Sequence, residues 1–359
     1  MEKQNMMGML ELILRPAFCV QDGSIVSANR QAQDRGIVIG ASISGLLITG
    51  AEEYAALKDG CLYLTMQVEN SRFGASVTQV GGLDVFILEP EEAQSELQAL
   101  ALAARELREP LSNMMIAADR LLPTLDDSDS AAQKQAANLN RSLHHMLRLL
   151  DNMSDSARYA EERVSRQEYR NIGALMGEYF ENAAALVENA GITLHFTGCP
   201  DEIRSMVDAE KLRRAVFNLI SNAVKFTPKG GRIDARLTRK GTRLYLTVQD
   251  SGCGIPESQR GNVYSRFLRQ PGLEDSRQGI GLGMVLIRSA ATAHGGTVLI
   301  EQPQDQGLRI TLTLEIRQSQ SNLVRTPGLR VDYAGEWDHS LIELSESLPA
   351  SLYRAPEQN

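Results

Sequence analysis

Two carboxamides and an ammonium share one stripe of a helix in the stretch Asn218-Leu-Ile-Ser-Asn222-Ala-Val-Lys225-Phe226-Thr227. Spacings of four and then three residues turn Asn218, Asn222 and Lys225 to the same side. Amide oxygens are hard ligands that suit Mg²⁺, and an ammonium suits phosphate, so the stripe fits a metal–triphosphate group. Alone, it is equally a solvated polar face. Downstream lies Asp250-Ser-Gly252-Cys-Gly254-Ile255-Pro256, where a carboxylate precedes two glycines that let backbone come close to a planar ligand. Farther on, Gly279-Ile-Gly281-Leu282-Gly283 opens a helix, and backbone N–H groups at a helix start attract phosphate. Each stretch by itself also reads as an ordinary turn or helix entry.

The elements that must carry these residues follow from periodicity. Leu212, Ala215, Val216, Leu219, Ile220 and Ala223 give the helix over Asp208–Lys225 a buried face opposite its polar stripe. Arg232–Thr238 and Arg243–Gln249 alternate apolar and polar residues around Lys240-Gly241-Thr242, which predicts a hairpin ending at Asp250. Met284–Ala293 is a predicted helix, and Thr297–Glu301 and Leu308–Leu314 are predicted strands. Ala174–Ala190 is another helix, with Arg166–Gly173 as a plain connection before it.

Upstream, Leu97, Leu100, Ala104, Leu107, Leu111, Met114, Ala118 and Leu121 form an apolar stripe on a helix over 91–124. A second helix, about Ala131–Tyr159, carries Leu139, Leu143, Met146, Leu150 and Met153. One such hairpin cannot cover both stripes, so two copies are expected to pair as a four-helix bundle. Residues up to Pro90 read as a small α/β unit. It has a hairpin at Asp22-Gly23, a short helix from Asn29, and strands at Cys61–Met66 and Leu83–Leu88. The polar tail from Gln318 keeps apolar residues in 332–337 and 341–348, and reads as an extension packed on the domain or as a docking segment.

In this order and at these separations the three stretches resemble the N, G1 and G2 boxes of sensor histidine kinases. Tyr264-Ser-Arg-Phe267-Leu-Arg269 resembles the same family's F box, which makes Gln270–Gln278 the lid. The resemblance runs from Leu97 to Ile316 and implies an α+β multidomain chain in four parts. These are a PAS-like α/β sensor (1–90), a dimerisation hairpin (91–165), an α/β sandwich ATP-binding domain of Bergerat type (166–317), and a tail (318–359). It also implies ATP and Mg²⁺ as ligands. Asp250 would receive the adenine amine, Asn222 would hold Mg²⁺ through ATP, and Asn218, Lys225, Phe226, Gly252, Gly254, Ile255, Phe267, Arg269, Gly279, Gly281, Leu282 and Gly283 would complete the nucleotide site.

The chain departs from the family at its acceptor. Ala104-Arg105-Glu106-Leu107-Arg108-Glu109-Pro110-Leu111 aligns with Ser-His-Glu-Leu-Arg-Thr-Pro-Leu, which puts Arg105 where the family has the phosphorylated histidine. A guanidinium offers no free lone pair. Glu106 matches the family's catalytic acid, and Glu109 replaces a threonine that serves the phosphatase reaction. Arg105 and Glu109 stand i,i+4, placed to pair with one another. His144 and His145 are the candidates for a relocated acceptor, one of them expected to face outward.

Three readings of function follow. One is a histidine kinase, acting in one version on a partner's histidine in a heterodimer. Another is a pseudokinase scaffold controlled by ATP. The last is a Bergerat-fold ATPase or kinase with a different acceptor. The expected partners are a response regulator or a second histidine kinase, in a homodimer or heterodimer. A net charge of −8 argues against nucleic acid and anionic membranes. Glu11, Arg15 and Pro16 interrupt the first apolar run, so no transmembrane segment or leader is expected. The four cysteines show no metal or redox spacing, read as small core residues, and suit a reducing, cytoplasmic setting.

Overall fold

The computed structural model describes residues 10–89, 93–125, 130–161, 166–199, 202–255, 281–303, 307–318 and 339–353. The chain opens with strands β1 (Ala17–Gln21) and β2 (Ser24–Ala28). They turn at Asp22 and Gly23, both at positive φ, as a tight hairpin requires. Helix α1 (Arg30–Gln33) is capped by Asn29, whose Oδ1 accepts from Ala32 N at 3.0 Å. Helix α2 (Ala51–Ala56) and strands β3 (Cys61–Val68), β4 (Ser71–Val80) and β5 (Leu83–Leu88) complete this unit. Phe18 stacks on Phe86 at 4.9 Å in its core. Strand β4 is an addition to the sequence reading. Its inward residues are Phe73, Ala75 and Val77, an alternation diluted by Gly74 and Ser76.

Helices α3 (Ala93–Leu121) and α4 (Ser130–Glu161) form the hairpin. Ala104, Leu111, Met115, Ala118 and Leu122 pack against Ala136, Leu143, Leu147 and Leu150. The expected stripes are corrected in part. Leu107, Met114 and Leu121 are 54%, 47% and 64% exposed, and Leu139 and Met146 are 48% and 43% exposed. Each helix carries two heptad rows, and only one of them faces the other helix of the same chain.

The third part contains β6 (Glu168–Asn171), α5 (Ile172–Asn189), β7 (Thr193–Thr197), β8 (Arg204–Val207), α6 (Ala209–Phe226), β9 (Arg232–Lys240) and β10 (Arg243–Asp250). It continues with α7 (Leu282–Ala293), β11 (Val298–Glu301) and β12 (Arg309–Glu315). The segment read as a plain connection holds β6, which pairs with β8. β6 is short and polar, and its register comes from a strand remote in sequence. The six apolar residues expected to face inward from α6 are all buried, together with Phe217 and Val224. Each such large aliphatic side chain contributes about 1.5–3 kcal/mol.

The main sheet runs through both α/β parts in the order β2-β1-β5-β4-β3-β11-β12-β10-β9-β7. The joint is an antiparallel pairing of β3 with β11, with Tyr63 opposite Val298 and Cys61 opposite Ile300. Each strand gives the other an edge partner that would otherwise expose unpaired backbone groups. Arg288 pairs with Glu89 and lies 4.7 Å over the Tyr63 ring, and Arg243 meets Glu53 at 3.0 Å across the same joint. The tail supplies helix α8 (His339–Leu344) and a 3-10 turn over Ala350–Tyr353. Helix α8 lies against α4 and α6 and the 3-10 turn against α4, burying Ile342, Leu344, Leu348 and Tyr353. Among the described residues no helix is long and apolar enough to cross a membrane.

Candidate functional site: a nucleotide cradle between α6, the β10 loop and α7

Asp208 caps α6 by accepting from Lys211 N at 3.1 Å. The polar stripe of α6 then runs toward two loops. Asn218 is 1% exposed and donates to Arg214 O at 2.8 Å. A Cβ on Gly283 would lie 2.7 Å from Asn218 Oδ1, so the first turn of α7 fits against α6 only because that position is glycine. Asn222 and Lys225 follow along the stripe, both partly buried, and Lys225 lies 5.8 Å over the Phe226 ring, itself exposed.

Asp250 ends β10 and is 8% exposed. Its Oδ1 accepts from Gly252 N at 2.8 Å and from Leu308 N at 3.2 Å, which leaves Oδ2 for an incoming donor. Burial raises its pKa above the ordinary carboxylate value, and the backbone donors offset part of that rise. A Cβ on Gly252 would stand 2.4 Å from Phe226 O, so the Asp250 loop is laid directly on the end of α6. Gly254 has φ +68 and its missing Cβ leaves room for Gln302. Ile255 packs half-buried on the main core. Gly281, at φ +80, precedes α7, and Leu282 is buried with Val285 against Leu97 and Ala157 of the hairpin.

The three stretches thus meet in space, the second on the first at Phe226 and the third on the first at Asn218. Their donor set fits Mg-ATP, with a desolvated carboxylate for the base, glycines where Cβ atoms would collide, and an amide–ammonium stripe. Phe267, Arg269, Gly279, the F-box stretch and Gln270–Gln278 lie outside the described residues. Among the described residues no cluster of His, Cys, Asp and Glu could hold a metal by itself. Of the cysteines, Cys19 and Cys61 are buried, but Cys199 is half-buried and Cys253 is exposed, which corrects the reading of all four as core residues.

On the hairpin, Arg105, Glu106 and Glu109 are all exposed, while Ala104 and Leu111 are buried. No ion pair joins Arg105 to Glu109. Arg108 instead reaches Asp151 on α4 at 2.7 Å. His144 does not face outward. It is 4% exposed, its Nδ1 is 2.8 Å from Asn140 O, and its ring meets Tyr353 edge-on at 5.1 Å. His145 is half-buried, with Nδ1 enclosed and without a hydrogen-bond partner among the described residues, and burial lowers its pKa. His294 is structural. Its Nε2 accepts from Asp208 N at 2.9 Å, its Nδ1 is 2.7 Å from Ala290 O, and burial lowers its pKa to about 4.

Four charged residues at the site escaped sequence reasoning, namely Arg148, Arg214, Glu343 and Glu346. Arg148 of α4 donates to Asn218 Oδ1 at 3.3 Å, and Lys225 pairs with Glu346. Only the Glu-Leu-Ser-Glu spacing at 343–346, two acids one helical turn apart within an apolar segment, carried any signal.

Residues 207–318 match the family described as histidine kinase-, DNA gyrase B- and HSP90-like ATPases. This part of the chain is similar to the ATPase domain of that family. The relatives are named as sensor kinases. The adaptive-response sensory kinase SasA of Synechococcus sp. is 29% identical over 65% of this chain and 64% of its own length. Sensor histidine kinase CusS of Escherichia coli is 30% identical over 55% of this chain and 41% of its own. The chain spans less than two thirds of the length of these relatives. Full-length ShkA, solved in complex with AMPPNP, shares the fold at a TM-score of 0.50 and 23% identity, over 63% of this chain and 47% of that one.

Proposed function

We propose that the chain is a histidine-kinase-like component of a two-component system that binds Mg-ATP and is not phosphorylated at position 105. The observation that carries nucleotide binding is Asp250, buried at a strand end with both backbone donors on Oδ1. Its Oδ2 would take the adenine amine, Gly252 and Gly254 would admit the base, and Asn218 and Lys225 would contact phosphates. Asn222 would hold Mg²⁺, which neutralises phosphate charge when bound. Gly281 and Gly283 would present the α7 entrance to the same phosphates. Phe226, Ile255 and Leu282 would shape the walls, and Phe267, Arg269 and Gly279 keep the nucleotide-site roles that the resemblance gives them.

Arg105 supports a scaffold rather than a self-phosphorylating kinase. The residue is exposed at the acceptor position, is permanently protonated, and leaves Glu106 with nothing to activate. The exposed heptad rows support pairing of two chains through the hairpin, with a copy of itself or with a second kinase. The order β2-β1-β5-β4-β3 supports the PAS-like reading of the first part, and cysteines spaced for neither metal nor redox chemistry suit a cytoplasmic setting. A response regulator is the partner that the resemblance to sensor histidine kinases implies. The division at 90, 165 and 317 is retained as a division by role, since one sheet crosses two of the parts.

A second reading, phosphate accepted at His145, rests on that ring's enclosed and unpartnered Nδ1 next to the cations of the site. One experiment separates the readings. The full chain is titrated with Mg-AMPPNP and then incubated with γ-labelled Mg-ATP, alongside Asp250→Asn, Arg105→His and His145→Gln. The scaffold reading expects binding weakened about tenfold or more in Asp250→Asn, no label on the wild type, and acid-labile label gained in Arg105→His. Acid-labile label on the wild type that His145→Gln removes would replace it with the second reading.

A further inference from the structure

Residues 339–353 lie across the groove between α4 and α6, the same side of α6 that carries Asn218 and Lys225. Leu344 and Leu348 are fully buried there, and Asn140 of the hairpin donates to Tyr353 O at 3.1 Å. The two acids of the segment meet different cations. Glu343, 2% exposed, pairs with Arg214 at 2.5 Å and with Arg213 at 3.4 Å. Arg214 is also held by Asn152 at 2.7 Å and Asp155 at 2.8 Å, a closed network that anchors the segment.

Glu346 is placed differently. One of its oxygens pairs with Lys225, and the other lies 3.0 Å from Arg148 Nη1. The second Nη of Arg148 donates to Asn218 Oδ1 at 3.3 Å. The carboxylate therefore sits among Lys225, Arg148 and, through Arg148, Asn218. Two of these three are the proposed phosphate contacts. The Arg148 side chain is 3% exposed, and its Nε has no hydrogen-bond partner among the described residues. A guanidinium so fully removed from water requires an anion beside it. Glu346 is that anion here, and a phosphate oxygen has the same charge and the same acceptor chemistry.

We propose that the segment 339–353 is a tethered plug of the nucleotide site, with the Glu346 carboxylate standing where a phosphate would be held by Lys225 and Arg148. This rests on the Mg-ATP reading above. Segment and nucleotide exclude one another, because the Glu346 carboxylate already occupies the donors of Lys225 and Arg148 Nη1 that a phosphate oxygen would take. Nucleotide binds only the fraction of molecules in which the segment has swung away, so its apparent affinity falls by that fraction. Arg148 thereby becomes a hairpin residue that reports the state of the ATP site to the helices that signal.

The test is Mg-AMPPNP calorimetry on the full chain as wild type, Glu346→Gln and Leu348→Glu, with hydrogen exchange of residues 340–348 on the wild type. Glu346→Gln keeps the shape and removes the charge, and Leu348→Glu dislodges the segment by another route. The plug expects both variants to bind roughly tenfold more tightly than wild type. It also expects the wild-type segment to exchange faster when nucleotide saturates. Equal or weaker binding by a folded Glu346→Gln chain, with wild-type exchange unchanged or slowed by nucleotide, overturns the plug and leaves the nucleotide site standing. No binding by any of the three chains overturns the nucleotide reading, and the plug with it.

Discussion

Gly283 and Asn218 touch: a Cβ on the glycine would come 2.7 Å from the amide oxygen. Helix α7 is seated on α6 at this point, and the seat lies inside the proposed phosphate site. Gly283→Ala forces either the amide or the helix to move. We expect a stability loss of about 1–3 kcal/mol, typical of an overpacked contact, together with weakened nucleotide binding. Thermal unfolding and Mg-AMPPNP titration on the same variant read both, and an alanine chain identical to wild type in the two would contradict the packing.

In the proposed site the ionised Asp250 carboxylate is the stronger acceptor for the adenine amine, and burial raises its pKa. The proton therefore arrives at a higher pH than on an exposed aspartate, and nucleotide affinity should fall on acidification before ordinary carboxylates titrate. Titrations with Mg-AMPPNP from about pH 8 down to about pH 5 would show the decline, with the control that circular dichroism stays constant. Asp250→Asn should cost about 1.5–3 kcal/mol of binding at neutral pH, the usual worth of a hydrogen bond to a charged group.

His294 gives the fold its own acid sensitivity. Its pKa is lowered from 6.5 to about 4 because the ring is buried neutral, accepting from Asp208 N and facing Ala290 O. The unfolded chain binds the proton first as pH falls. The stabilisation is thus whole above pH 6.5 and drains away as pH drops toward 4, by about 3 kcal/mol in all. Urea unfolding across that window should show the slope, and His294→Gln should flatten it.

The exposed heptad rows predict association. Leu107 and Met114 on α3 and Leu139 and Met146 on α4 are left uncovered by the described residues. Met114→Glu with Met146→Glu should turn a sedimenting dimer into a monomer, while the inner row, Leu111 against Leu143, keeps the hairpin helical. A wild-type chain that sediments as a monomer at high micromolar concentration would remove the bundle.

The sequence alone determined what depends on local period and local chemistry. The buried face of α6, the hairpin ending at Asp250 and the Asp22-Gly23 turn are all fixed by neighbours within a few residues. The three candidate nucleotide stretches stood out for the same reason, since each is a short run of distinctive residue types. Tertiary structure decided everything that joins distant segments. The pairing of β3 with β11 is made of backbone hydrogen bonds, which leave no mark on side-chain pattern. Which leucines of the hairpin face inward depends on where the second helix lies, and 3.6 residues per turn allows two rows. The charges at the nucleotide site show the limit most clearly. Lys225 was readable as a candidate phosphate contact from its place on the stripe. That Glu346 and Arg148 share the same point is a matter of packing, set by Leu344 and Leu348 entering a groove that forms only after α4 and α6 have come together.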